Sequence, residues 1–263
     1  VGHVEAGLRT HNVHAPFPEE FNRQVVSKVS KWHFAPTKKS RQNLLSEGIA
    51  DNTITVTGNT VIDALNLVLK RLDTDQIRLQ RITTEISQTI PFSWQDKRFV
   101  LITGHRRENF GDGFLQICQA IKELADKFTD VEFVYPVHLN PNVQTPVRNI
   151  LGNLANVHLI EPLDYESFVL LLKNCYLVLT DSGGIQEEAP SLGKPVLVMR
   201  DVTERPEAVD AGTVELVGTD KNKIFQGVSS LLEDEGHYTS MSRAHNPYGD
   251  GRACERIAEV LQN

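Results

Sequence analysis

Short β-branched runs alternate with helix-length amphipathic segments along nearly the whole chain, and this alternation constrains the fold more than any other feature. VGHVEAG, at the very start, is strand-like, and PEEFNRQVVSKVSK is helical, with Phe21, Val25 and Val29 on one face. TITVTGN is a strand and TVIDALNLVLKRL an amphipathic helix, with Val61, Ala64, Leu65 and Val68 on one side. After a polar, irregular stretch from Ile82 to Asp96 a second series begins. RFVLITG, VEFVYPV, VHLIEP, YLVLTDSGG, PVLVMR and TVELVG read as strands, with helices between most of them and a last pair of helical patterns beyond. Strands separated by helices of this length form βαβ units on a parallel sheet, and strands this apolar are covered on both faces. The stretch from Ile82 to Asp96 is expected to be an interdomain linker.

A chain of 263 residues makes one large domain or two medium ones. The net charge of −7 excludes a general nucleic-acid binder, which needs a basic face. Cys118, Cys175 and Cys254 lie far apart with no CxxC pair, the pattern of buried thiols in a reducing cytoplasm. No apolar run reaches the roughly 18 residues of a membrane span, and nothing resembles a signal peptide. A cytoplasmic protein is expected. VGHVEAG reads as a strand already under way at Val1, so the chain is expected to be the later part of a longer protein.

Ligands of parallel α/β sheets bind outside the carboxyl ends of the strands. Five strand ends here carry polar or charged clusters: Glu5 to Arg9, Gly104 to Asn109, Val137 to Asn140, Asp181 to Gly184, and Asp201 with Glu204 to Glu207. Ser182, Gly183 and Gly184 can open a helix with Ser182 as N-cap, presenting free N–H groups to a phosphate, or can be a tight turn with no ligand. His105 and Arg106, followed by Arg107, suit a phosphate and a departing oxygen, or form a salt-bridge cluster with Glu108. Glu5 ends an apolar strand and is either a general base or a partner of Arg9. Glu19 and Glu20 suit the first turn of a helix. Of the other histidines, His3, His33 and His158 fall in strand patterns and the rest in loops. No spacing argues for a metal, and the absence of GxGxxG disfavours an NAD-dependent oxidoreductase.

GHVEAGLRT, PFPEEFNR, TGNTVIDAL, TGHRREN, YPVHLNPNV, TDSGGIQEEAPSLGKPVLVMRDVTERPEAV and NPYGDG together resemble the bacterial non-hydrolysing UDP-N-acetylglucosamine 2-epimerases. The resemblance implies an α/β, GT-B-like fold of two Rossmann-like parallel-sheet domains, the first truncated at its N-terminus. It implies residues 1–88 as the remnant of the first domain, 89–250 as the second, UDP-binding domain, and 251–263 as a C-terminal helix crossing back to the first. The family interconverts UDP-GlcNAc and UDP-ManNAc by eliminating UDP to give 2-acetamidoglucal and adding it back, supplying ManNAc for surface polysaccharide, usually as a homodimer. By this resemblance Glu5, Glu19 and His105 are catalytic. His105, Phe168, Ser182, Gly183, Gly184, Glu188 and Arg205 bind UDP, with Glu188 at the ribose hydroxyls and Glu187 structural. Arg106 and His138, with Glu19 shared, match the site of an activating second UDP-GlcNAc. No cofactor, metal, nucleic acid or membrane is implied. The family's GTRPE and HGDT motifs, the latter with a catalytic Asp, are missing, so roughly the first hundred residues of the family pattern are absent and this chain is expected to be inactive or impaired. The competing readings are a GT-B glycosyltransferase using a UDP-sugar donor and a non-catalytic UDP-sugar-binding module.

Overall fold

The computed structural model describes residues 1–262. In chain order its elements are β1 (Gly2–Val4), α1 (Glu19–Val29), β2 (Trp32–Ala35), α2 (Lys38–Ser46), β3 (Ile54–Val56), α3 (Thr60–Thr74) and α4 (Gln76–Thr89). There follow β4 (Phe99–Thr103), α5 (Asp112–Lys127), β5 (Glu132–Pro136), α6 (Pro141–Leu151), β6 (Val157–Ile160), α7 (Tyr165–Asn174), β7 (Leu177–Thr180), α8 (Ile185–Ser191) and β8 (Val196–Val198). The last are α9 (Pro206–Asp210), β9 (Val214–Leu216), α10 (Lys221–Glu233), α11 (Glu235–Ser242) and α12 (Ala253–Gln262). Two compact units result, the α/β architecture with two parallel sheets expected above. One contains Val1–Leu67, Val202–Ala211 and the stretch from Asn246; the other contains Val68–Asp201 and Gly212–His245.

The first unit is built on a parallel sheet of order β1-β2-β3, with His3 opposite His33 and His33 opposite Ile54. Ala6, Ala35, Leu44 and Ile54 form a buried cluster there, and Thr37 caps α2 by accepting from the Ser40 N–H. Helix α1 turns Glu20 and Ser27 inward, while Phe21, Val25 and Val29 lie exposed. The reason is local: the Glu20 carboxylate accepts the Thr10 and His11 N–H groups, and Ser27 Oγ accepts from Arg9 Nη2. Helix α12 is fixed at its start by Asp63, whose carboxylate accepts the Ala253 and Cys254 N–H groups.

The second unit carries a six-stranded parallel sheet of order β6-β5-β4-β7-β8-β9. Counted within this unit the order is 3-2-1-4-5-6, the doubly wound arrangement, whose order reverses between β4 and β7. Phe99 to Ile102 and Leu177 to Leu179 are buried because helices cover both faces. Phe114, Ile117, Cys118, Ile121, Leu124 and Ala125 recur at helical spacing along one face of α5 and pack with Ile224, Val228 and Leu231 of α10 into the main core cluster.

Two expectations are revised. The polar stretch from Ile82 is no linker, because α4 occupies it as far as Thr89, Ile82, Ile86 and Ile90 are buried along it, and the whole stretch lies inside the second unit. The compact units change inside α3 and at Asn246, and Val202–Ala211 groups with the first unit. The last position of the expected C-terminal segment, 263, lies outside the described residues. Cys254 is exposed, unlike Cys118 and Cys175.

Candidate active site

The second unit gathers most of the expected residues at the reversal point between β4 and β7. Strand β4 runs out into Gly104-His105-Arg106 and β7 into Asp181-Ser182-Gly183-Gly184. Asp181 joins the two loops. Its Oδ2, fully buried, accepts the N–H of His105 (2.9 Å), the N–H of Arg106 (2.8 Å) and Asn109 Nδ2 (3.3 Å). Its carbonyl accepts Arg106 Nε at 2.7 Å. Tyr135 donates to the Gly104 carbonyl at 2.7 Å from beneath. A side chain at Gly104 would be tight: a Cβ would stand 3.2 Å from Met199 Cε and 3.3 Å from the Tyr135 hydroxyl.

The His105 and His138 rings stack, with centroids 4.9 Å apart and planes 12° from parallel. His138 Nδ1 accepts the Asn140 N–H at 3.1 Å. Burial lowers the His105 imidazole below the ordinary histidine range, with Asp181 opposing and His138 and Arg106 adding to the effect. The shift favours the neutral ring, which can still donate one N–H. Ser182 does not cap the helix. Helix α8 starts at Ile185 behind Gly184, and the Ser182 N–H donates to Thr180 Oγ1 at 2.9 Å. The two glycines add a turn between serine and helix, which moves the cap position two residues on.

Glu187 is fully buried and Glu188 nearly so. Glu188 Oε1 accepts from the Tyr165 hydroxyl at 2.5 Å. Burial raises the Glu188 carboxyl above its ordinary range and the tyrosine bond opposes that rise. Phe168 lies one turn beyond Tyr165 on α7, half-buried and outside the main core cluster.

Glu5 and Glu19 belong to the first unit, as does Arg205. Glu5 follows β1 with φ of +62°, a left-handed conformation that non-glycine residues rarely adopt and that is enriched at functional sites. Its Oε1 accepts from Asn59 Nδ2 at 2.7 Å and lies 3.8 Å from Arg205 Nη2. Arg205 is buried, its Nη1 2.5 Å from Glu204 Oε1, and Glu204 lies 3.6 Å from Arg23 Nη2. Glu207 accepts from Thr37 and from the Tyr248 hydroxyl. Glu19 heads α1 with an exposed side chain and no hydrogen bond or ion pair among the described residues, whereas Glu20 beside it is buried and triply bonded. Among the described residues no group of three or more His, Cys, Asp or Glu is placed to hold a metal ion, and no helix is long and apolar enough to cross a membrane.

The family model described as UDP-N-acetylglucosamine 2-epimerase matches residues 1–262. The chain belongs to that family. A UDP-N-acetylglucosamine 2-epimerase of Escherichia coli K12 is 58% identical over 264 aligned residues, which cover all of this chain and 69% of that protein. The crystal structure of UDP-GlcNAc 2-epimerase from Neisseria meningitidis bound to UDP-GlcNAc superposes with a TM-score of 0.94 at 52% identity, covering all of this chain and 70% of that one. The Methanocaldococcus jannaschii UDP-GlcNAc 2-epimerase in complex with UDP-GlcNAc and UDP gives 0.85 at 34% identity, covering all of this chain and 68% of that one.

Asp181, placed by the sequence only within a strand-end cluster, and Asn59 and Tyr165 hold contacts here that were not expected. Asp181 had a visible signal, a carboxylate closing the buried run Leu177–Thr180. Asn59 and Tyr165 had none, since their partners lie 54 and 23 residues away.

Proposed function

We propose that this chain carries the chemistry of a UDP-N-acetylglucosamine 2-epimerase, interconverting UDP-GlcNAc and UDP-ManNAc. A carboxylate takes the C2 proton while the C1–O bond breaks. The C2–H electron pair becomes the C1=C2 bond of 2-acetamidoglucal, and the C1–O pair leaves on UDP. Protonation of C2 from the other face, with return of the UDP oxygen to C1, gives the epimer. Glu5 and Glu19 supply the two acid–base groups. His105 donates an N–H to the diphosphate as charge grows on it, joined by Ser182 and the amides of Gly183 and Gly184. Glu188 takes the ribose hydroxyls and Phe168 the uracil. Arg205 serves the nucleotide, and its guanidinium also lies near Glu5 and Glu204.

The observation that carries this reading is Glu5, a carboxylate in a left-handed backbone conformation at a strand end, clamped by Asn59 and flanked by Arg205. A transferase has no need of a base aimed at C2. A second UDP-GlcNAc at Arg106 and His138, a homodimer, a cytoplasmic location and a role in supplying ManNAc for surface polysaccharide belong to the same proposal.

The test is incubation with UDP-GlcNAc in D2O, following C2 by NMR. Deuterium should enter C2 and UDP-ManNAc should form, and Glu5→Gln should slow both by about a hundredfold or more while UDP still binds. Binding with no exchange at C2 would refute the catalytic reading in favour of a binding module. Consumption of UDP-GlcNAc only when an acceptor is added would favour a transferase.

A further inference from the structure

Tyr165 and Glu188 form a pair whose purpose the reading above leaves open. Glu188 sits in the first turn of α8 and is 6% exposed; Tyr165 begins α7 and is 41% exposed. The tyrosine hydroxyl donates to Glu188 Oε1 at 2.5 Å. Oε2 accepts no hydrogen bond among the described residues, and it points toward the glycine loop: a Cβ at Gly184 would stand 3.8 Å from it. Among the described residues no cation pairs with Glu188. Glu187 beside it on α8 is fully buried, Glu166 beside Tyr165 on α7 is paired with Arg78 at 2.8 Å, and β8, which packs on α8, is Val-Leu-Val. A carboxylate this buried with no cation has one stabilising donor, the tyrosine O–H.

We infer that Tyr165 is a positioning residue for nucleotide recognition: its hydroxyl fixes the Glu188 carboxylate so that Oε2, beside the glycine loop, is presented to the ribose diol of UDP. This rests on the proposed role of Glu188 at the ribose. A diol donates two hydrogen bonds and needs an ionised acceptor, since a protonated carboxyl offers a competing O–H and a weaker carbonyl. Anchoring one oxygen also removes the rotamer freedom that binding otherwise has to freeze. Because Tyr165 is partly exposed and its ring is kept by phenylalanine, the hydroxyl can be removed with little effect on packing.

The experiment measures by calorimetry the affinity of wild type, Tyr165→Phe and Glu188→Gln for UDP and for 2′,3′-dideoxy-UDP, from about pH 5 to about pH 8. Tyr165→Phe is expected to weaken UDP by about fivefold to tenfold at neutral pH, the effect of one hydrogen bond to a charged group that is partly screened. It should leave the dideoxy nucleotide unchanged. The UDP affinity of Tyr165→Phe should also begin to fall at a higher pH than that of wild type, because the carboxyl loses the donor that favours its charged form. Equal weakening of both nucleotides, or an unmoved pH profile, would show that Tyr165 only packs. If Glu188→Gln discriminates between the two nucleotides and Tyr165→Phe does not, the inference fails and the ribose role of Glu188 stands. If Glu188→Gln does not discriminate, the ribose role fails and the inference with it.

Discussion

The two units hold the charges at their candidate residues differently. In the second unit, the loops after β4 and β7 are tied by backbone groups converging on one buried carboxylate, Asp181, and partial desolvation lowers the imidazole of the histidine they carry. In the first unit, ionisable side chains meet directly: Glu5 with Arg205, Arg205 with Glu204, Glu204 with Arg23. The difference matches the two tasks the proposed reaction sets. Holding a diphosphate needs fixed dipoles and N–H donors that require no reorganisation as charge develops. Moving a proton at C2 needs a side chain that changes its own charge, and such a group needs counter-charges within reach to hold it in place.

The comparison is broken most directly at His105. If the second unit works through neutral donors aimed at the leaving oxygen, His105→Ala should lower turnover by about a hundredfold to a thousandfold, the range for losing one donor to a developing oxyanion, and weaken UDP binding by less than tenfold. Stopped-time NMR of the epimerisation with calorimetry of UDP measures both. Equal losses would make His105 a binding group only.

Asp181 tests the architecture behind that donor. Asp181→Ala leaves two backbone N–H groups and the Asn109 amide without their shared acceptor. Orphaned buried donors are expensive, so a loss of about 2–3 kcal/mol in urea unfolding is expected, together with weakened UDP binding. Asp181→Asn, which keeps one acceptor oxygen, should recover part of both. A variant as stable as wild type would show that the two loops hold their shape without Asp181.

How much of this was legible follows from the same contrast. The alternation of apolar strands and amphipathic helices exposes βαβ units because each element carries its own period. Strand ends then point to candidate residues: His105 and Ser182 to Gly184 lie on the loops after β4 and β7, and Glu188 lies beside Gly184. Pairings across long stretches leave no period to read. Asp181 meets His105 across 76 residues and Asn59 meets Glu5 across 54. The same limit explains why the segment carrying Glu204, Arg205 and Glu207 reads as part of the second series while its partners Arg23, Glu5 and Thr37 lie in the first unit. Helix α4 was missed for the converse reason: its period is present, but one isoleucine every fourth residue in a polar sequence is faint.

The smallest effect probes the charge crowding of the first unit at His3, which faces His33 across the sheet. Burial brings the His3 imidazole down to about 4, with Arg9 and His33 adding to the fall and Glu5 opposing it. A histidine held neutral in the native state but free to protonate once unfolded binds fewer protons when folded. Its contribution is therefore complete above the ordinary histidine value of about 6.5 and drains away as pH falls toward 4. His3 is partly exposed, so solvent screening reduces the expected loss to about 1–2 kcal/mol across that window. Carboxylates titrate over the lower part of the same range, which makes the difference between two proteins the useful quantity. His3→Gln should flatten the fall in urea midpoint between about pH 6.5 and about pH 4 relative to wild type. Identical slopes would mean that water or a shifted Glu5 accommodates the charged ring, and that the cations around Glu5 do not govern titration in this unit.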